Sequence, residues 1–261
     1  MRDMDYLYTL SGFAVGAIVG LTGVGGGSLM TPLLVLVFGI PPATAVGTDL
    51  LYAALTKAGG TVAHGRKGHI DWQITRRLAL GSIPAAAITL FILSQLPKGS
   101  NVIGAIISHG LGFALLLTAI AILFGRKLRE YAGTHEESAV RQRWLSKVTI
   151  IVGAVLGVLV TISSVGAGAL GVAALFFLYP KLSPVRIVGS DVAHAVPLTL
   201  VAGLGHWMLG GVDWALLGSL LLGSLPGIWL GTQVSAKVPE HILRRLLATM
   251  LIIIGSKLVF A

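Results

Sequence analysis

The sequence predicts an all-α integral membrane protein made of two inverted structural repeats. Each repeat is a short re-entrant or half-length helix pair followed by three transmembrane helices. Three observations carry this expectation: too few charges for a soluble domain, uncharged runs of membrane-spanning length, and an internal duplication. Only 11% of the 261 residues are charged and 55% are apolar, where a typical globular domain carries roughly a quarter charged residues. The mean hydropathy is +0.89. Glycine, at 35 residues, stands at about twice its usual share of roughly 7%. No Ser-rich or Gln-rich low complexity accompanies it, so disorder and collagen are excluded.

Residues 78–97, 99–125, 192–212 and 214–236 contain no Asp, Glu, Lys or Arg. At 1.5 Å per residue each can cross ~30 Å of hydrocarbon. Two further uncharged runs, 6–48 and 148–180, are too long for one straight span. The opening MRDMDY lacks the basic segment and small-residue cleavage site of a signal peptide, so the first apolar stretch is expected to be retained. The absence of Cys removes disulfides and thiolate chemistry. A net charge of +9 could suggest a nucleic-acid partner. The cations sit instead in short loops between apolar runs, the pattern of a multi-pass protein in the cytoplasmic membrane.

The duplication organises the rest. GTD at 47–49, His64, Asp71-Trp72, Gly81-Ser82 and Pro84 recur as GSD at 189–191, His206, Asp213-Trp214, Gly223-Ser224 and Pro226, each 142 positions later. Upstream, Val24–Gly27 corresponds to Val165–Gly168 at an offset of 141. The chain is therefore read as a first transmembrane repeat, 1–125, a charged cytoplasmic linker, 126–147, and a second repeat, 148–261. Apolar elements are expected at 6–21, 28–38, 43–63, 74–96 and 101–124, and at 148–162, 169–179, 185–204, 214–234 and 241–260. The segment 28–38 reaches only about 17 Å, so it does not cross alone. Broken backbone at membrane depth is tolerated where it faces protein or water. With three crossings per half, the loops 64–77, 126–147, 180–186 and 235–245 share a side and hold fifteen of the nineteen Lys and Arg. A parallel arrangement of the halves divides them twelve to six, so the inverted one obeys the positive-inside rule better.

Inverted repeats with interrupted helices characterise secondary transporters, whose substrate sits between the halves near the midplane. The segments GVGGGSLMTPLLV at 23–35, FGIPPATAVGTDLL at 38–51 and the stretch from His64 to Trp72, repeated in weaker form, resemble the TauE/SafE sulfite-exporter family. The resemblance covers nearly the whole chain. It implies transport of small organic or inorganic anions, with sulfite and sulfonates as the usual substrates. The second half departs from the pattern, with Ala167 at the position of Gly26 and Ala173 at that of Pro32.

The candidate anion site is a set of backbone amides and hydroxyls at helix N-termini inside the membrane. Its members are Thr22, Gly25, Gly26, Gly27 and Ser28 in the first half and Ser163, Ser164, Gly166 and Gly168 in the second. The bland alternative is that the glycines only let helices pack closely. GVGGGS lacks the Lys of a phosphate-binding loop. Asp49 and Asp191, seven residues after Pro42 and Pro184, are candidates for proton coupling or gating, or else structural hydrogen-bonding groups. Lys57 reads as a side chain snorkelling toward the cytoplasmic surface, or as a partner for substrate charge. Asp71 and Asp213 read as helix N-caps beside interfacial Trp72 and Trp214. His64 and His206 read as polar contacts at loop edges rather than metal ligands, and no metal or cofactor is expected. Pro84 and Pro226 are expected to kink their helices, freeing the carbonyls of Leu80 and Leu222. Two other classes remain open: an anion channel, and an intramembrane enzyme, for which neither HExxH nor GxSxG is present. The expected partners are a small anion and the lipid bilayer.

Overall fold

The computed structural model describes residues 2–22, 27–96, 101–132, 139–234 and 240–260. These residues form ten helices: α1 Arg2–Thr22, α2 Gly27–Leu36, α3 Pro42–Arg66, α4 Trp72–Gln95, α5 Asn101–Ala132, α6 Ala139–Ser163, α7 Ala169–Leu178, α8 Pro184–Met208, α9 Trp214–Val234 and α10 Glu240–Phe260. All ten expected elements are present, and the described residues contain no strand. Five helices are long and apolar enough to cross a membrane: the described parts of α4, α5, α6, α8 and α9. α2 and α7, with 10 residues each, span about 15 Å and cannot cross alone. Their partners α1 and α6 are longer than expected, at 21 and 25 residues. Both continue N-terminally through charged residues that ended the apolar runs, so only the second member of each pair is half-length.

The helix starts follow from local chemistry. Pro42 and Pro184 stand in the first turns of α3 and α8, where a missing N–H costs nothing. Asp71 accepts from the amides of Gln73 and Ile74 at 3.1 and 3.2 Å. Asp213 accepts from those of Ala215 and Leu216 at 3.0 Å each. Both are therefore N-caps, as expected. α4 and α9 run through Pro84 and Pro226 as single helices.

The two halves are interlocked rather than side by side. α1 lies along α9, and α6 along α4. Gly12, Gly16 and Gly20 face the backbones of Leu220, Ser224 and Ile228, so closely that any Cβ would overlap them. Gly153 and Gly157 stand in the same relation to Leu78 and Ser82. In both pairs the numbers rise together, so α1 runs parallel to α9 and α6 parallel to α4. Without an apolar solvent contrast between helices, such small-residue ladders are what holds membrane helices together.

At the centre, α3 and α8 pack antiparallel. Gly47 abuts Gly211 and His206 at one end, Gly60 faces Val192, and Gly189 abuts His69 at the other end. The duplicated motifs meet across this pair. The Asp213 amide donates to the Thr48 hydroxyl at 3.0 Å, and the Asp71 amide to the Ser190 hydroxyl at 2.8 Å. The middle residue of each GTD or GSD thus staples the opposite half's Asp-Trp turn. Loop 37–41 and the turn after α8 share one end of the bundle, where Pro41 and Gly210 line a common cavity. Residues 180–186 lie at the other end, where Arg186 meets Asp71.

Candidate functional site

The site is built where the two half-length helices come against α3 and α8. α6 ends in a turn that the helical pattern cannot continue: Ser164 has φ 58°, Gly166 φ 114° and Gly168 φ 142°. Glycine is needed at 166 and 168 because a Cβ there would be strained. Ser163 secures the turn by donating to the Leu159 carbonyl at 2.6 Å and accepting from the Val165 amide at 3.1 Å. Its hydroxyl is thus committed within the turn. The Ser164 hydroxyl is buried and has no partner. Val165 packs into the same apolar cluster as Leu29, Met30 and Leu34 of α2, which brings the second-half turn against the first half's short helix.

Asp49 and Asp191 are fully buried. The Thr31 hydroxyl of α2 donates to one oxygen of Asp49, and the other oxygen has no partner. The charge of Lys57 also acts on Asp49. Asp191 lies against α7, where a Cβ on Gly171 would overlap its carboxylate. Neither of its oxygens has a hydrogen-bond partner, and Lys57 is the charge that acts on it.

Lys57 corrects one expectation. Its side chain does not snorkel: the ammonium donates to the carbonyl of Ala167, in the turn before α7. One half-buried cation therefore sits beside the broken helix, within electrostatic reach of both carboxylates. Spacing along α3 could not reveal this, because the partner lies 110 residues away.

Two further residues join the site that sequence reasoning passed over. His194 and Tyr52 stand three residues after Asp191 and Asp49, one turn on, and correspond to each other at the offset of 142. His194 Nε2 meets the Ser82 hydroxyl at 2.8 Å, and its Nδ1 is buried without a partner. Tyr52 lies against Ser224, with neither hydroxyl in a hydrogen bond. A search for identical pairs could not find them, but the register itself contains the signal. The bland reading of His206 holds, since its Nε2 meets the Thr161 carbonyl at 2.8 Å. Among the described residues, no group of three or more His, Asp and Glu could hold a metal ion.

The first-half candidates are only partly placed. Gly25, Gly26 and the side chains of Thr22 and Ser28 lie outside the described residues. The backbone puts Thr22 at the end of α1 and Gly27 and Ser28 at the start of α2.

A cavity of about 450 Å³ opens at the end of the bundle where α3 begins, lined by Pro42, Thr44, Ser94, Ile103, His206 and Gly210 among others. From Thr44 to Lys57 along α3 is about 20 Å. Val46, Leu50, Val160, Ala195, Leu198 and Ala202 form one apolar cluster with Ala167 over that interval. Apolar residues thus stand between the cavity and Lys57, while Asp49, five residues after Thr44, lies buried within the same interval.

This geometry frames the comparisons with known proteins. The chain matches the family described as Sulfite exporter TauE/SafE over residues 8–258. It belongs to the TauE/SafE family. The probable membrane transporter protein YjnA of Bacillus subtilis is 39% identical over 98% of this chain and 100% of its own length. The probable membrane transporter protein YdhB of the same organism is 30% identical over 95% of this chain and 97% of its own length. The probable membrane transporter protein MJ0441 of Methanocaldococcus jannaschii is 23% identical over 95% of the chain and 93% of its own length. No solved structure matches. This TauE/SafE protein is a multi-pass membrane protein of a transporter family.

Proposed function

We propose that the protein is a secondary transporter of small anions, sulfur oxyanions such as sulfite or sulfonates above all, working by alternating access in the cytoplasmic membrane. The observation that carries this reading is the charged centre itself. An ammonium, two buried carboxylates, a half-length helix start and a backbone turn converge inside a largely apolar helix bundle. Helix N-termini and a buried cation are the chemistry that compensates an anion taken out of water. The residues proposed to hold it are Lys57, Ser164, Gly166 and Gly168, with Gly25, Gly26, Gly27, Ser28 and Thr22 from the first half.

The repeats are read as inverted and as the units 1–125 and 148–261. The parallel pairs α1·α9 and α4·α6, combined with antiparallel α3 and α8, support this reading. So does the crowding of Lys and Arg into the loops at one end. A transporter of this kind moves the substrate by rocking around a fixed central site. The apolar layer between the cavity and Lys57 suits a state closed toward that end.

Flux of radiolabelled sulfite, sulfate and methanesulfonate into proteoliposomes of pure protein tests the proposal. Saturable uptake with counterflow against preloaded unlabelled anion is expected. Absence of any anion flux overturns the transport reading. Conductance without counterflow overturns the carrier in favour of a channel.

A further inference from the structure

Asp191 occupies the place that an anion would take. It lies against the third residue of α7, Gly171, at the helix end whose dipole favours negative charge, although the Gly171 and Val172 amides are themselves engaged by the Gly166 and Gly168 carbonyls at 3.2 and 2.9 Å. Lys57, held by the Ala167 carbonyl just before that helix, supplies the cation. Yet the carboxylate has no hydrogen-bond donor on either oxygen and no exposure to solvent. A buried carboxylate kept for structure has donors, as Asp49 has in Thr31. The counterpart of Thr31 at the offset of 141 is Val172, which offers Asp191 none.

We infer that Asp191 and the substrate anion compete for the same place, so that the anion binds Lys57 and the start of α7 only when Asp191 has taken up a proton. This rests on the anion-transport reading above. The charge count decides the stoichiometry. Ionised Asp191 already offsets the charge of Lys57. A monovalent anion added at that place leaves one negative charge uncompensated, where that is costly. One proton, bound to a carboxylate oxygen of Asp191, restores the count, so one monovalent anion travels with one proton.

Few other groups can compete for that proton. α3 presents Lys57, Asp49, Tyr52 and, toward its end, His64, whose Nδ1 lies near Gly189. α8 itself adds His194, engaged with Ser82 of α4. α7 carries no titratable residue. Arg76 and Arg77 stand in the second turn of α4, and Lys147 lies in the first half of α6.

Methanesulfonate is the probe, because its charge is fixed across the accessible pH range. Its affinity is measured by counterflow in proteoliposomes from pH 5 to 8, for wild type, Asp191→Asn, Asp49→Asn and Lys57→Gln. Wild-type affinity is expected to rise as pH falls, by up to about tenfold per unit where binding takes up a whole proton. Asp191→Asn should bind with no pH slope, exchange substrate and lose accumulation driven by a proton gradient. Asp49→Asn should keep the slope. Lys57→Gln should lose at least about a hundredfold in affinity at every pH. As a readout independent of flux, Asp191→Asn should raise the melting temperature of the substrate-free protein, while Asp49→Asn lowers it. Should wild type move none of the three anions, the transport reading falls. Should wild type transport while Asp191→Asn keeps the slope, or Lys57→Gln bind normally, the competition is wrong and the transport reading stands.

Discussion

The two halves of this chain share a register and differ in what they place on it. In the first, Asp49 accepts a hydrogen bond from Thr31, its neighbour one turn on is Tyr52, and Lys57 follows on the same helix. In the second, Asp191 has no donor, its neighbour is His194, and Thr199 stands where Lys57 would be. Thr199 donates back to its own helix at Ala195, whereas Lys57 reaches across to the other half's broken helix. The identical pairs build the frame: Gly47 and Gly189 at the crossing, Asp71 and Asp213 as caps, Gly81 and Gly223 against a neighbouring backbone. The non-identical pairs occupy the centre. The recurring motifs hold matching places in the bundle, and chemistry is expected where the two halves differ.

The frame is the harder part to damage unequally. Gly16 and Gly157 are equivalent, and each meets the backbone of the equivalent serine, Ser224 or Ser82. A leucine at either position must push two helices apart, which exceeds the roughly 1–3 kcal/mol usual for an overpacked site. Gly16→Leu and Gly157→Leu should therefore both abolish the monodisperse peak on detergent size-exclusion chromatography. If one of them alone is tolerated, the halves are not structurally equivalent.

The centre is expected to respond in opposite senses. Thr31→Val leaves a second Asp49 oxygen buried without a partner, at a cost of about 1–3 kcal/mol. It should lower the melting temperature clearly. Val172→Thr puts at the equivalent position a hydroxyl that can serve Asp191. Hydrogen bonds to charged groups contribute about 1.5–3 kcal/mol, so the ionised carboxylate should be held and anion binding weakened by about tenfold or more. Binding of methanesulfonate measured at pH 7 checks this. Unchanged affinity would mean that α7 does not present Val172 to Asp191 as α2 presents Thr31 to Asp49.

Much of the frame was legible in the sequence, because its causes are local or periodic. Uncharged runs fix the helices, Pro42 and Pro184 fix two starts, and Asp71 and Asp213 fix two more. What failed was the length of α1 and α6. Asp3, Asp5 and Arg141 interrupt the apolar runs yet are carried on helical backbone beyond them. The centre was half legible. Asp49 and Asp191 announce themselves as carboxylates within apolar spans, and Ser164 and Gly166 as a break between helices. The role of Lys57 was not legible, because it depends on a turn 110 residues away whose approach only the packing of α3 on the second half decides. The local role of Ser163 is hidden for the converse reason. A hydroxyl at a helix end often serves its own turn first, and this one does.

The smallest expected difference separates the two caps. Asp71→Ala and Asp213→Ala each remove a side chain that accepts from two amides of a helix start, and each should cost about 1 kcal/mol. The cross-half staples are unaffected, since Ser190 and Thr48 bond the backbone amides at 71 and 213 rather than the carboxylates. Asp71 has one further contact, an Arg186 guanidinium at 3.5 Å, with side chains 45% and 24% exposed for Arg186 and Asp71. A pair so open to solvent contributes at most about 0.5–1 kcal/mol and is screened by salt. In detergent at low ionic strength, Asp71→Ala should therefore melt slightly below Asp213→Ala. In about 1 M salt, where the Debye length falls to about 3 Å, the two melting temperatures should coincide. A gap that survives the salt would assign the difference to packing at the Asp71 turn rather than to Arg186.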